Sequence, residues 1–266
     1  MRTIVFRQLK AHLTQHMVLS SFLIFEIAFI LFYFLHNQPS FADPDSFYHA
    51  KIAQLMKDGG IVWDFPYLQF TVLKDYYTDH HFLYHVSLIP FISLLPPLLG
   101  LKLATITFSS LAVTVFYWML KKFEVVGAWF YALVLMTSAS FIFRINLAKA
   151  QSLALIAFFI ACYLIFSKRY YLLALLSFVY VWLYGGWPLM FVLVFFYYAA
   201  GFISHYTIRQ LSVFGKLKRI FFGYHFQLNG RKFIRGLLSE YKLFVAVLIG
   251  ILAGIVINPY FPKNLF

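Results

Sequence analysis

The chain has 266 residues, of which 62% are hydrophobic and only 12% charged, with a mean hydropathy of +0.79. A soluble domain carries about 25% charged residues, so this composition excludes a soluble enzyme, a secreted mini-protein and a disordered tail. One cysteine excludes an intramolecular disulfide framework and a Cys-rich metal site. The net charge of +13 matters less in such a chain than where its lysines and arginines fall.

In chain order the apolar runs are Met17–Leu35, Phe82–Leu99, Leu103–Leu120, Val125–Phe143, Ser152–Phe166, Tyr171–Tyr184, Pro188–Phe202 and Leu243–Ile257. A bilayer span needs about 20 residues. The doubtful run is Phe82–Leu99, which holds His85, Pro90, Pro96 and Pro97. If it does not cross and the N-terminus is cytoplasmic, 15 of the 22 basic residues lie inside; if it crosses, only 7 do. The positive-inside rule selects the first arrangement. The expected fold is therefore all-α and polytopic, with about seven transmembrane helices and the N-terminus in the cytoplasm. The Phe82–Leu99 run is then a re-entrant or interfacial segment, as its prolines suit.

Residues 1–266 read as a single membrane core. Arg2–Lys10, the run after it and Ser40-Phe41-Ala42 outline a signal peptide. The run of about 19 residues exceeds the usual core of about 7–15, so it is read as a retained first span. Residues 203–242 form a basic cytoplasmic loop suited to lipid headgroups; no folded nucleic-acid reader accompanies it. The sequence stops nine residues beyond the last run, an ending expected of a chain truncated at its C-terminus.

The first outer loop, 36–100, concentrates the chemistry. It contains six of the nine acidic residues and five of the nine histidines. Within Asp43-Pro44-Asp45-Ser46-Phe47-Tyr48-His49, Asp43 can cap a helix that Pro44 opens, Asp45 favours its dipole, and Gly59-Gly60 ends it. Tyr48, Ile52 and Leu55 would be its apolar stripe. Capping alone explains both aspartates. The functional alternative takes Asp45 and His49, at i and i+4, as one face able to orient a nucleophile, accept a proton or hold a divalent cation. Further on, Asp79, His80, His81 and His85 form a second polar group. Asp79 can cap a helix, and the His81/His85 pair with Asp79 admits zinc, although contacts to a phosphate or sugar suit it better.

Other segments contribute less. The outer loop after the third full span carries Arg144, Asn146 and Lys149. It offers either a salt bridge to the acidic first loop or a clamp for a lipid-linked phosphate. Glu26 is an intramembrane carboxylate for which an inter-helix hydrogen bond is the expected partner. Tyr184-Gly185-Gly186-Trp187-Pro188 is an outer hairpin with glycines for a tight turn or close approach, and Trp187 for the aromatic belt.

With these parts in place, the chain resembles the polytopic glycosyltransferases of the C superfamily, especially the catalytic subunits of oligosaccharyltransferases. The resemblance rests on Asp43-Pro44-Asp45-Ser46-Phe47-Tyr48-His49 after the first span, and on Phe65-Pro66-Tyr67 and Thr78-Asp79-His80-His81-Phe82. Gly185-Gly186-Trp187 and Asn258-Pro259-Tyr260-Phe261-Pro262 complete it. It implies a catalytic Asp45 with Asp43 beside it, and a polyprenyl-phosphate- or diphosphate-linked sugar as donor. The family's second acidic motif falls on Arg144-Ile145-Asn146-Leu147-Ala148-Lys149, which has no carboxylate. This fits a relative that holds the donor phosphate with Arg144 and Lys149. His49, Asp79, His80, His81, Asn146 and Trp187 would complete the substrate-binding set. The residues name no particular cofactor; a divalent cation (Mg or Mn) is admitted at Asp45.

The expected activity is thus glycosyl transfer to an acceptor on the outer face of the membrane. The rival readings are a transporter or flippase of a lipid-linked or anionic substrate, and a non-catalytic membrane subunit or fragment. A transporter predicts internal repeats and broken helices at midplane depth. No such repeat is visible.

Overall fold

The computed structural model describes residues 2–211 and 241–265. These residues form ten α-helices and no strands. The first helix, α1 (Arg2–Leu35), places Ile24, Ala28 and Phe32 on one buried face at i, i+4, i+8 spacing. That face packs on α4 (Pro97–Lys122), where Ala112, Val113 and Tyr117 are buried and the Tyr117 hydroxyl donates to Ser20 Oγ at 2.8 Å. The opposite face of α1 exposes Val18, Phe22, Leu23, Ile27, Ile30 and Phe34. Two helices are long and apolar enough to cross a membrane, His16–Leu35 within α1 and the 26-residue α4.

The expected third full span, Val125–Phe143, is broken. It forms α5 (Ala128–Leu135) and α6 (Ala139–Ile145), bent by 73° and able to cross only if the pair is one span. Between them Ser138 is extended, at φ −74° and ψ 110°, and the Thr137 hydroxyl donates to the Val134 carbonyl at 2.8 Å. The Thr137 hydroxyl thus engages the backbone of the last turn of α5 where the helix is interrupted.

The Phe82–Leu99 run is also divided. Residues Phe82–Leu94 form α3, and Pro97–Leu99 already belong to α4. Thirteen residues rise only about 20 Å, short of a hydrocarbon core of about 30 Å. The α3–α4 hairpin closes tightly: a Cβ on Gly100 would lie 2.8 Å from the Phe91 carbonyl oxygen. The remaining apolar helices are α7 (Gln151–Phe166), α8 (Tyr170–Leu183), α9 (Leu189–Leu211) and α10 (Tyr241–Val256). In α7, α8 and α10 the apolar stretch is 14–16 residues, and in α9 it is Leu189–Gly201. Of the basic loop, 203–242, the start continues α9 to Leu211 and the last two residues open α10; 212–240 lie outside the described residues.

The closest helix pair is α8 with α10. Gly250 and Gly254 lie four apart on α10, and a Cβ at Gly250 would sit 2.1 Å from the Ala174 carbonyl oxygen. The contact lets Trp182 Nε1 donate to the Gly254 carbonyl at 2.7 Å. Small residues at this spacing allow backbones to approach where no water drives association.

Helix α2 (Asp45–Gly59) lies against α3 and α4. Its buried face is His49, Ala50, Ile52, Ala53 and Met56, whereas Tyr48 and Leu55 of the expected stripe are half-buried. Small residues let α2 approach the helices beneath it, so its inner face turns toward His49. Gly60 ends α2 at φ +80°, with its N–H donated to the Met56 carbonyl at 2.9 Å, as the glycine pair predicts. The C-terminal segment folds back on this loop, and the buried Tyr260 donates its hydroxyl to the Val62 carbonyl at 2.8 Å.

Glu26 departs from expectation. It is half-buried on α1 and forms no hydrogen bond or ion pair among the described residues.

Candidate functional site

The ends of α1, α2, α3, α7, α8 and α9 meet around three cavities, and the polar residues gather there. Three anchors fix the backbone. Lys102, near the start of α4, donates to the Gln38 carbonyl and lies over the Phe41 ring, which holds the link from α1 to α2. Buried Ser109 and Ser152 both donate to the Ile145 carbonyl, at 2.7 and 3.1 Å, and so fix the loop from Asn146 to Ala150. Asp43 Oδ1 accepts the Asp45 N–H at 2.8 Å, and the Asp43 carbonyl accepts the Ser46 N–H at 3.2 Å. The regular helix begins at Asp45 with Pro44 ahead of it, so Asp43 performs the capping expected of it.

The two acidic residues also share a cation. Lys149 Nζ lies 2.8 Å from Asp43 Oδ2 and 2.7 Å from Asp45 Oδ2. Its amine is raised above the ordinary lysine value: partial burial opposes the charge, but the hydrogen bonds to Asp43 and Asp45 outweigh it. The Lys149 ammonium likewise holds the Asp43 carboxyl below the usual carboxylate range. The salt bridge anticipated between this loop and the acidic loop is therefore formed. Arg144 does not join it; it is exposed and lines none of the three cavities described below.

A buried chain of hydrogen bonds lies beneath. Asp79, 3% exposed, places Oδ2 2.7 Å from His85 Nδ1, and Oδ1 accepts the His81 N–H at 2.8 Å. The second ring nitrogen of His85, Nε2, is 2.7 Å from His49 Nδ1. His85 is fully buried and His49 is 3% exposed. Burial, with help from His85, His81 and Lys149, lowers the His49 imidazole to about 2, so it is neutral at physiological pH. Burial lowers His81 to about 4, and its ring stacks on Tyr184 with centroids 5.6 Å apart.

These groups border a cavity of about 490 Å³, within the usual size range of small-molecule sites. Asp45, His49, His80, His81, Lys149, Thr78, Gln151 and Tyr184 all line it. Thr78 Oγ1 and Gln151 Oε1 are buried there without a hydrogen-bond partner. Such orphaned atoms are uncommon in a folded protein and are available to a bound molecule. An apolar slot of about 270 Å³ adjoins the cavity and shares Gln151 and Tyr184 with it. Its wall is Gln151, Ala154, Leu155 and Phe158, one face of α7, with Tyr180 of α8 and Leu189 of α9 opposite. Across the Asp43–Lys149 bridge lies another cavity of about 270 Å³, lined by His36, Asp43, Ser46 and Asn146, with Ser46 Oγ buried and unpartnered.

Asp45, His49, His80, His81 and Lys149 thus line one cavity and Asp43 and Asn146 another, whereas Asp79 lines neither and lies buried behind His85. Trp187 also lines neither; it packs half-buried against the main apolar core, while Gly185 of the same hairpin approaches His80 closely. His81 and His85 do not form a metal pair with Asp79, because His85 and Asp79 bond to each other. Among the described residues no group of three or more His, Cys, Asp or Glu is placed to hold a metal ion. Sequence reasoning missed the partnership of His85 with His49, 36 residues away, and the roles of Gln151 and Tyr184. Comparison with known proteins gives no match, whether to a protein-family model, a curated protein or a solved structure.

Proposed function

We propose that this chain is the membrane core of a glycosyltransferase that moves a sugar from a polyprenyl-phosphate- or diphosphate-linked donor to an acceptor. The observation that carries the proposal is the joined pair of cavities: a polar chamber of about 490 Å³ opening, through Gln151 and Tyr184, onto an apolar slot between α7, α8 and α9. A substrate that fits both has a polar head and a long apolar tail. A soluble sugar nucleotide would leave the slot empty. A free lipid would leave Thr78, His49 and Gln151 without the hydroxyl-rich partner that suits them.

In this reading the chain crosses the membrane seven times. Helices α7 to α10, short for a full bilayer, span by local thinning of it, and the site faces outward. The donor's polyprenyl tail lies in the slot, its sugar in the chamber, and its phosphate near Lys149. Glycosyl transfer expels a lipid phosphate, whose developing negative charge needs fixed positive charge more than it needs an acid. Lys149, on the chamber wall, supplies that charge when the donor phosphate takes the place of one of the two carboxylates that pair it here. Asp45 takes the positioning role of the two expected of it, because its Oδ2 is already engaged and its exposed side can receive the acceptor. Arg144, exposed at the end of α6, can reach the phosphate only at the rim. The chemistry sits at one end of the helices and not at their centre, which favours a transferase over a transporter.

The test is transfer of labelled sugar from a panel of polyprenyl-linked donors by membranes carrying wild-type protein or Asp45→Asn, each with and without a chelator. The proposal expects transfer by the wild type and its loss in the variant at equal expression. Equal transfer by both would reduce Asp45 to a partner of Lys149 and end this mechanism. The chelator arm decides whether Mg or Mn takes part; with Lys149 between Asp43 and Asp45, no step here is routed through a metal.

A further inference from the structure

We propose that Asp79, His85 and His49 form a proton relay, and that its cavity end, His49 Nε2, is the base that takes the proton of the acceptor. The inference rests on the glycosyl-transfer reading for the identity of the proton donor, and on the geometry of three buried side chains for everything else.

The direction of the relay follows from what each group can do. A carboxylate only accepts, so the Asp79 Oδ2 to His85 Nδ1 contact of 2.7 Å places a hydrogen on Nδ1. A neutral His85 then offers Nε2 as an acceptor, and the 2.7 Å contact with His49 Nδ1 requires a hydrogen on that nitrogen. His49 is left with its lone pair on Nε2, in a ring that lines the polar chamber. Three groups from two elements and a loop thus fix one tautomer of one imidazole. Simple burial of a histidine would need no second histidine and no carboxylate behind it. Asp79 is itself held from the other side, because Oδ1 accepts the His81 N–H at 2.8 Å.

The step balances as follows. The acceptor's oxygen or nitrogen attacks the anomeric carbon of the donor. The bond from that carbon to the phosphate oxygen breaks, and its electron pair leaves with the lipid phosphate. The acceptor's proton passes to His49 Nε2. The Nδ1 proton of His49 moves to His85 Nε2 in the same step, so His49, which burial keeps from holding a charge, is never left protonated at both nitrogens, and the positive charge comes to rest on His85 against the buried Asp79 carboxylate. When product leaves, the same path in reverse returns the proton to the chamber. His49 is the catalytic residue of the relay; His85 and Asp79 are positioning residues.

The near-isosteric variant Asp79→Asn gives a sharp test. The amide oxygen of the new residue keeps the His81 N–H, which turns its NH2 toward His85 Nδ1. That nitrogen must then accept, so His85 carries its hydrogen on Nε2 and His49 carries its own on Nε2 as well. The chamber then meets a donor where it had a base.

Full-length protein in lipid nanodiscs would be treated with diethyl pyrocarbonate, which acylates an imidazole lone pair, and modification read by peptide mass. The relay predicts modification of His49 in the wild type and its loss in Asp79→Asn. Modification of His80, which lines the same chamber and is exposed, remains in both as the control for access and folding. An unmodified His49 in the wild type, or equal modification in both proteins, overturns the relay. Should the variant misfold, the 15N shifts of His49 in the wild type at neutral pH decide. A bare Nε2 with a protonated Nδ1 supports the relay, and the reverse tautomer overturns it.

Activity then separates the two readings. His49→Gln should lower sugar transfer by about 10²–10⁴-fold, the usual contribution of a general base. Unchanged transfer in His49→Gln overturns His49 as the base. An inactive wild type whose His49 modification still depends on Asp79 overturns the glycosyl-transfer reading and leaves the relay standing.

Discussion

Acid should loosen the site, and two histidines that the fold keeps neutral, His49 and His81, set most of the size of the effect. His49 and His81 are lowered from 6.5 to about 2 and about 4, chiefly by burial. In the unfolded chain both take up a proton near pH 6.5, whereas in the fold both refuse it. Stability is therefore highest above about 6.5 and falls as the pH drops below it, by about 1.4 kcal/mol per pH unit for each histidine. The loss from His81 ends near pH 4 and that from His49 near pH 2. Between pH 6.5 and 5.0 each histidine contributes a loss of about 2 kcal/mol, and the pair about 4 kcal/mol. That is a large part of a typical net stability of about 5–15 kcal/mol. Thermal unfolding in detergent, followed by tryptophan fluorescence, should show a midpoint about 10 °C lower at the acidic end. His81→Phe keeps the ring against Tyr184 and removes one of the two titrations, so the pH slope should halve. A midpoint that stays flat across this range, or a slope unchanged in His81→Phe, would refute the reasoning.

Three further outcomes are expected. Gly250→Ala puts a methyl group against the Ala174 carbonyl and should destabilise the α8–α10 pair by about 1–3 kcal/mol, read as a lower unfolding midpoint. Ala154→Phe fills the slot and should impair transfer from long-chain polyprenyl donors more than from short-chain ones, a difference read in KM. Lys149→Met removes a partly exposed ion pair that contributes about 0–1 kcal/mol to stability, so the protein should remain folded while transfer is lost.

Much of the helical framework was legible in the sequence because apolar runs in a membrane protein are bounded by charges and prolines. The runs at Ser152–Phe166, Tyr171–Tyr184 and Leu243–Ile257 match α7, α8 and α10 to within two residues at each end. The break in Val125–Phe143 was not legible, since hydropathy averages over Thr137-Ser138 while the backbone turns there, with Thr137 bonded back to Val134. The stripe of α2 was legible: Ile52 is buried, and Tyr48 and Leu55 pack against its cluster. Size did not suggest the adjoining face, where Ala50 and Ala53 are small enough to let α2 approach its neighbours.

The site divides in the same way. Local features were readable: the Asp43 cap, the Gly60 stop, and Asp79 turning back on the His81 N–H. The charge contrast between the first loop and Lys149 anticipated a pairing, because opposite charges at one interface find each other. Periodicity coupled His81 to His85 and Asp45 to His49, one helical turn apart. Tertiary packing instead joined His85 to His49, which belong to different helices, and sent Asp45 to Lys149. No spacing rule within one element can announce such a contact.

The central claim, that one lipid-linked molecule occupies the chamber and the slot together, is most directly tested by photocrosslinking. A polyprenyl phosphate carrying a benzophenone near the head of its tail would be irradiated with the full chain in nanodiscs and the adduct mapped. The account predicts adducts on the slot wall, at Ala154–Phe158 of α7 and Tyr180–Leu189 around the hairpin, reduced by excess unlabelled polyprenyl phosphate. Adducts spread along the exposed face of α1, with no competition, would contradict it.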